Sequence, residues 1–338
     1  MSIHEDERYY LKLKALYYLY TRGLTQTEIA KMLNISRVTL GRLLEEARAE
    51  GMVRVEIVDV RNMLSLLRAE EELKRRFGLR DVKLVDGTGL EGDALMRRTA
   101  QRAAAYFEQL LRSGMKIGVT WGRTLNAMVD CLSVNRGIRD LTVYTLVGST
   151  SSSVEFQPNI LAQNLLNKYG GTLRIMTAPF ICHSPQLCAD IKNDPQIRGI
   201  LQEARELDVT MVGIGEEPVR GSARLSSYPF DGETIQSLVD HGAAGDICGN
   251  FFDVEGNLCD RALQERIVSI DIRELPAHKL VVGTGGGPRK VRSILGALNG
   301  GYLDVLVTDV QTAAAVLEAA GNGEASPPAA PPADRETG

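Results

Sequence analysis

The segment Thr25-Gln-Thr-Glu-Ile-Ala-Lys-Met-Leu-Asn-Ile-Ser-Arg-Val-Thr-Leu-Gly-Arg-Leu-Leu44 constrains the fold more than any other stretch, because it reads as two short helices joined by a tight turn. Thr25 and Glu28 have the spacing of a capping box, in which each side chain satisfies an orphan backbone N–H of the first helical turn. Ser36 is placed to cap the second helix in the same way. Along that helix Leu40, Leu43, Leu44 and Ala47 recur at helical spacing and face a core, which leaves Arg37, Val38, Gly41 and Arg42 outward with Thr39 at the border. A helix so built enters a DNA major groove, with Gln26, Ser36, Arg37, Thr39 and Arg42 as the candidate DNA contacts.

The charge pattern agrees. Between Arg8 and Leu44 stand Arg8, Lys12, Lys14, Arg22, Lys31, Arg37 and Arg42 against the single acid Glu28, whereas the whole chain has a formal net charge of −4. A positive field confined to one end suits contact with phosphates there alone. The alternative is a three-helix packing module whose cations only solvate its outer face. Residues 51–58 alternate like a strand and are expected to form a wing beside the recognition helix.

At 338 residues the chain is too long for a DNA-binding unit alone, and most of it is left for a second globular domain. No apolar run approaches the ~20 residues that span a bilayer, so no membrane role is expected. The acidic amino terminus is not followed by an apolar signal core, and the five cysteines (Cys131, Cys182, Cys188, Cys248 and Cys259) lack disulfide-like spacing; both features predict a cytoplasmic protein.

Four segments follow from these patterns: a helix-turn-helix DNA-binding domain over residues 1–60, a linker helix over 61–80, an effector domain over 81–320 and a disordered tail over 321–338, where four prolines stand among Gly, Ala, Ser and charged residues. The linker segment either transmits orientation between domains or simply packs on the larger one. Apolar strand-like runs at 82–85, 117–120, 141–147, 173–177, 209–214, 280–283 and 304–308 alternate with helical patterns at 93–111, 124–132, 159–169, 195–207, 234–239, 288–298 and 310–319. Strands apolar on both faces and alternating with helices predict an α/β fold with a mainly parallel sheet, its ligands at the carboxyl ends of the strands. Residues 251–259 break that rhythm and read as a β-hairpin with its turn at 253–257.

Two strand-to-loop junctions carry candidate chemistry. In Gly118-Val-Thr-Trp-Gly-Arg-Thr124 a strand enters a turn and then a helix, so that backbone amides, Thr120, Thr124 and Arg123 form an anion site around Gly122. In Gly283-Thr-Gly-Gly-Gly-Pro-Arg-Lys290 the successive Gly285, Gly286 and Gly287 let a phosphate approach the backbone, Pro288 suits a first helical position, and Lys290 adds a mobile charge. Either loop alone can also be a plain turn. Trp121 either stacks on a ligand or fills the core.

These elements, with Leu24-Thr-Gln-Thr-Glu-Ile-Ala30, Gly242-Ala-Ala-Gly-Asp-Ile247, Phe251-Phe-Asp253 and Leu306-Val-Thr-Asp309, resemble the SorC (sorbitol-operon regulator) family of bacterial sugar-responsive transcriptional regulators over nearly the whole chain apart from the tail. The resemblance implies a helix-turn-helix joined to an effector domain similar to sugar-phosphate isomerases of the glucosamine-6-phosphate deaminase type, without their catalysis. It also implies a sugar phosphate bracketed by the loop at 120–124 and the glycine loop with Lys290, with Gln157 nearby and Asp246 accepting from sugar hydroxyls. Members that bind fructose bisphosphate have Gly-Gly-Thr-Thr where this chain has Trp121-Gly-Arg-Thr124, and an arginine near 146–148 that this chain lacks. This departure counts against a bisphosphate effector and leaves open a singly phosphorylated sugar or polyol, or an unphosphorylated polyol. The expected protein is a regulator, most simply a repressor, of a carbohydrate or polyol catabolic operon, acting on double-stranded operator DNA as a homodimer or homotetramer.

Other chemistries are weaker. Gly118-Val-Thr-Trp-Gly122 approximates a hydrolase elbow but has Thr in place of the Ser nucleophile. The loop at Gly283 lies too near the chain end for a full dinucleotide-binding unit, so no cofactor is expected. Cys182-His183 with Cys188 lacks zinc spacing, and Asp253-Val-Glu-Gly-Asn257 misplaces the calcium-loop glycine, so no metal is expected. The main competing reading is an active sugar-phosphate isomerase or deaminase with an added amino-terminal domain.

Overall fold

The computed structural model describes residues 3–56, 58–59, 63–150, 157–219, 228 and 230–322. The chain divides into two compact units, Met1–Asn62 and Met63–Gly338.

In the first unit, helix α1 (Ile3–Leu16) widens into a π-helical turn (Tyr17–Thr21) and is followed by α2 (Gln26–Met32) and α3 (Arg37–Ala49). The Thr25–Glu28 capping box is complete: the Glu28 amide donates to Thr25 Oγ1 at 3.3 Å, and the Thr25 amide donates to the Glu28 carboxylate at 2.8 Å. Between α2 and α3, Asn34 adopts a left-handed conformation (φ 53°), which a short polar side chain tolerates. Ser36 Oγ then caps α3 by accepting from the Thr39 amide at 3.0 Å. Leu40, Leu44 and Ala47 of α3 close a small core with Ala15, Leu16, Ile29 and Ala30. Outside that core, Arg8 grips Glu46 through Nε and Nη2, and Lys12 pairs with Glu46 and Glu50, tying α1 to α3. Two of the seven amino-terminal cations are thereby committed within the unit.

The expected wing is not formed: residues 52–56 carry no strand, and Ile57 lies outside the described residues. Alternation makes a strand eligible for pairing, but a strand exists only where a partner ladder meets it. The expected tail lies outside the described residues from 323 onward, while Gly321 and Asn322 end the last helix.

The second unit opens with α4 (Leu64–Phe77), followed by β1 (Asp81–Val85), α5 (Gly92–Leu110), β2 (Lys116–Val119), α6 (Arg123–Cys131), β3 (Thr142–Thr145), α7 (Pro158–Tyr169) and β4 (Thr172–Arg174). Then come α8 (Pro185–Asn193), α9 (Pro195–Glu203), β5 (Val209–Gly213), α10 (Gly232–Asp240), β6 (Gly245–Ile247), β7 (Asn250–Phe252) and α11 (Arg261–Gln264). The unit ends with β8 (Val281–Thr284), α12 (Val291–Asn299), β9 (Val305–Asp309) and α13 (Val310–Asn322). Where the sequence suggests a linker, α4 is seated on the sheet: Leu73 is fully buried, and Glu70 accepts from the Leu84 amide at 2.9 Å.

Seven strands form one sheet in the order β1-β9-β8-β5-β2-β3-β4, and every pairing is parallel. Both faces are covered, as parallel sheets require. Ile117, Val119, Val143 and Met211 pack under α5, α6 and α7, while Leu84, Tyr144, Val212 and Leu306 pack under α4, α9, α12 and α13. The chain leaves β2 in one direction for β3 and β4, then returns to lay β5 against the other side of β2. That reversal opens a crevice beyond the carboxyl ends of β2 and β5. The expected hairpin turn is also formed: Asp253 donates its amide to the Asn257 carbonyl at 2.9 Å, and Phe252 bridges Leu258. Its Gly256 has φ +88°, and a Cβ there would lie 2.3 Å from the Gly300 backbone. Helix α8 was absent from the sequence pattern, although Ser184 as N-cap and Pro185 at the first position are a start signal.

Candidate functional sites: an effector cleft and a DNA-contacting helix

The crevice at the strand reversal is a cleft of about 1050 Å³, walled by the segments that follow β1, β2, β5 and β8 and by the end of β9 with the first turns of α13. Of the residues singled out in the sequence, Gly122, Arg123, Thr124, Asp246, Gly286, Gly287 and Lys290 line it. Gly122 is the N-cap of α6 with φ +122° and ψ 155°, a conformation open to glycine, and α6 has no side-chain cap. The amino-terminal amides of α6 therefore face the cleft without a protein acceptor from a capping side chain.

Thr120, Gly285 and Gln157 are placed differently. The Thr120 hydroxyl is buried, accepting from the Gly213 amide at 3.3 Å, so it pins the end of β2 to β5 instead of facing a ligand. Gly285 donates its amide to the Val307 carbonyl at 3.2 Å, continuing the sheet ladder. Gln157 is the N-cap residue of α7 and donates its side-chain amide to the Thr150 carbonyl. None of the three lines the cleft.

The glycine loop is held from behind. Gly287 (φ +95°) donates its amide to Asp309 Oδ2 and to Thr312 Oγ1, both at 2.8 Å. A Cβ at Gly286 would sit 2.6 Å from the same Asp309 oxygen, so glycine is required by that close approach. The amide expected to cradle a phosphate at Gly287 is thus already spent inside the protein. Lys290 reaches across to donate to the Ile214 carbonyl at the end of β5.

Asp246, on β6, is almost fully buried, with Oδ1 accepting from the Tyr228 hydroxyl at 2.8 Å and Oδ2 from the Gly249 amide at 3.0 Å. Burial pushes its carboxyl above the usual range, against the opposing pull of these two hydrogen bonds and of Lys290. A Cβ at Gly215 would lie 1.7 Å from Asp246 Oδ1, so only glycine lets the loop after β5 pass there. Trp121 is core as much as wall: its ring packs edge-on to Phe180 at 4.6 Å and near Tyr228 at 6.0 Å, and little of it is exposed.

The rim cations are each matched by an acid. Arg123 faces Asp93 at 3.4 Å, Arg289 faces Glu216 at 3.7 Å, and Arg292 faces Glu217 at 3.3 Å. These pairs are exposed or half-exposed and individually weak, so an anionic ligand has only modest competition to overcome. Asp93 in the first turn of α5, and the loop after β5 that carries Glu216 and Glu217, were not singled out in the sequence. The signal that finds them is the strand order, which brings the carboxyl ends of β1, β5, β8 and β9 to the same edge of the sheet as that of β2.

On the first unit, Gln26, Ser36, Arg37, Thr39 and Arg42 are all exposed. Ser36 and Thr39 share a hydroxyl hydrogen bond of 2.8 Å in addition to the cap, so their side chains are held by the helix start.

A family model described as "Putative sugar-binding domain" matches residues 61–318. The chain is 31% identical to the sorbitol operon regulator of Klebsiella pneumoniae, over 94% of this chain and 100% of that protein. It is 27% identical to the deoxyribonucleoside regulator of Bacillus subtilis, over 93% and 99% of the two chains. The crystal structure of the full-length Klebsiella regulator superposes with a TM-score of 0.70 at 29% identity, covering 91% of this chain and 98% of that one. An amino-terminal helix-turn-helix followed by a parallel α/β domain with a ligand cleft, together with these matches, establishes that the chain belongs to the SorC family of DNA-binding, sugar-responsive transcriptional regulators.

Proposed function

We propose that this regulator represses a carbohydrate or polyol catabolic operon and releases its operator when a sugar or polyol, free or singly phosphorylated, fills the cleft of the second unit. The observation that carries the reading is the convergence on one cleft of the uncapped amino end of α6, the Lys290 ammonium and the buried Asp246 carboxylate. Helix amides with Arg123, Thr124 and Lys290 suit an anionic or oxygen-rich end. Asp246 suits hydroxyls, which donate to it in place of Tyr228. With the Gly287 amide turned toward Asp309, the α6 end is the better-equipped place for a phosphate, which favours one phosphate over two.

The cleft serves binding in this reading, not catalysis: its lining includes no histidine among the described residues, and the Asp309 carboxylate is consumed by structural hydrogen bonds. The five cysteines are free thiols, which supports a cytoplasmic setting. A single small helix-turn-helix reads few base pairs, so the working form is a homodimer or homotetramer on spaced half-sites. Light scattering with and without operator checks this, and a monomer in both would refute it.

The functional test is a titration of the preformed protein–DNA complex with a panel of hexitols, hexitol phosphates and sugar monophosphates, run beside a turnover assay of the same compounds. One chemical class should release the DNA without being consumed. Lys290→Ala should bind operator normally and need about ten- to a hundredfold more ligand, the worth of ~1.5–3 kcal/mol for a hydrogen bond to a charged group. Wild-type-like release by both Lys290→Ala and Arg123→Ala refutes the site, and turnover of a panel member favours the isomerase or deaminase reading.

A further inference from the structure

The outward face of α3 carries two residues that nothing within the protein calls for. Val38 is 76% exposed, although a β-branched side chain loses freedom in a helix and gains nothing by facing water. Gly41 sits mid-helix, where a Cβ would meet no heavy atom within 4 Å, so no packing excludes a side chain there. Alanine would make a better helix at that position. Val38 and Gly41 are three residues apart and Arg42 follows at four, so the three share one stripe of the helix surface.

The surroundings of the stripe point to a polyanion. Arg22, Lys31, Arg37 and Arg42 are exposed, and none of them is ion-paired among the described residues, in contrast to Arg8 and Lys12. At the start of α3 the hydroxyls of Ser36 and Thr39 are turned to each other and to the cap. Beside Arg37, Val38 is therefore the side chain near the amino end that is free to meet a surface, and the only apolar one of the two; that end of a recognition helix is the part that reaches base edges. The apolar feature displayed in the major groove is the thymine 5-methyl group.

We infer that the Val38–Gly41 stripe is the base-reading surface of this regulator: Val38 packs on a thymine methyl, and bare Gly41 lets the helix seat deeply enough for that contact. The inference rests on the DNA-binding function and adds to it a sequence requirement, one thymine per half-site opposite Val38. It also explains why a residue costly to the helix occupies position 41, since a side chain there would hold the helix off the groove.

The test uses the full-length protein and an operator selected from random duplex DNA, in which each thymine is replaced singly by deoxyuridine, removing only the methyl. For the wild type, one position per half-site should weaken binding about fourfold, the worth of one buried methyl group. Val38→Ala should be indifferent to the methyl at that position and retain sensitivity elsewhere. Gly41→Ala should raise the resistance of the amino-terminal unit to urea yet weaken operator binding at least tenfold, with binding to unselected duplex changed less than twofold. Opposite signs for stability and specific binding separate a groove-seating role from simple damage to the fold. The inference is overturned if Val38→Ala leaves every deoxyuridine effect intact, or if Gly41→Ala binds operator like the wild type. Failure to select any sequence would overturn it differently, by removing specific DNA reading itself.

Discussion

Asp309 and Thr312 share the work of holding the glycine loop, and their substitution distinguishes a hydrogen-bonded clamp from incidental neighbours. The buried Asp309 carboxylate accepts from the Gly287 amide at 2.8 Å, the Thr312 amide at 2.9 Å and the Thr312 hydroxyl at 2.6 Å. The Gly287 amide has a second acceptor in Thr312 Oγ1 at 2.8 Å. In Asp309→Ala the Thr312 amide is orphaned, at a cost of about 1–3 kcal/mol, while Gly287 keeps the hydroxyl. Relief of the carboxylate's own desolvation offsets part of that cost. In Thr312→Val the Gly287 amide keeps the carboxylate, so the cost is about 1 kcal/mol. In the double variant Gly287 loses both acceptors, and a second buried donor is orphaned that neither single change exposes. The double variant should therefore be less stable than the sum of the singles by about 1–2 kcal/mol. Urea unfolding followed by Trp121 fluorescence reads this directly, because Trp121 is the chain's only tryptophan and lies in the same unit. Additivity within about 0.5 kcal/mol would refute the shared clamp and, with it, the claim that Gly287 is turned away from the cleft by these two residues.

Arg42→Ala should leave the fold intact and weaken operator binding by ~1–3 kcal/mol, measured at fixed salt on a footprinted site; unchanged affinity would displace the recognition surface. Asp246→Asn should show a pH-dependent stability difference. Because burial raises the folded-state pKa of Asp246, its ionised form penalises the folded state above that pKa, and the penalty disappears as pH falls below the ordinary carboxylate value. Wild type should gain on the variant as pH is lowered from 7 to 4, and a difference that is flat with pH would refute the assignment. His278 acts in the opposite sense: burial lowers its pKa, and its Nδ1 meets Thr210 Oγ1 at 2.8 Å. Its contribution is complete above the ordinary histidine value and is lost as pH falls toward the folded value. His278→Gln should flatten that limb of the urea-derived stability profile, and an unchanged limb would exclude His278 as its source.

Local chemistry was legible in the sequence wherever one turn or one period decides the outcome. The capping box at Thr25 and Glu28, the Ser36 cap and the buried spacing of Leu40, Leu44 and Ala47 are contacts within one or two helical turns, so their residue types alone specify them. The inner strands of the large sheet stood out as short apolar runs because they are buried on both faces, whereas the edge strand β4 is largely exposed. Tertiary structure alone decided their order, since pairing β1 with β9 joins residues more than two hundred positions apart and no local period records a partner. From that order came the cleft, including the loops after β1 and β5 that the motifs did not reveal. It also decided the fate of individual groups: Thr120 became a strand tie, the Gly287 amide went to Asp309, and residues 52–56 found no partner strand. A hydrogen-bonding group's partner is set by what the fold brings opposite it, so sequence names the donors and acceptors while register and packing choose among them.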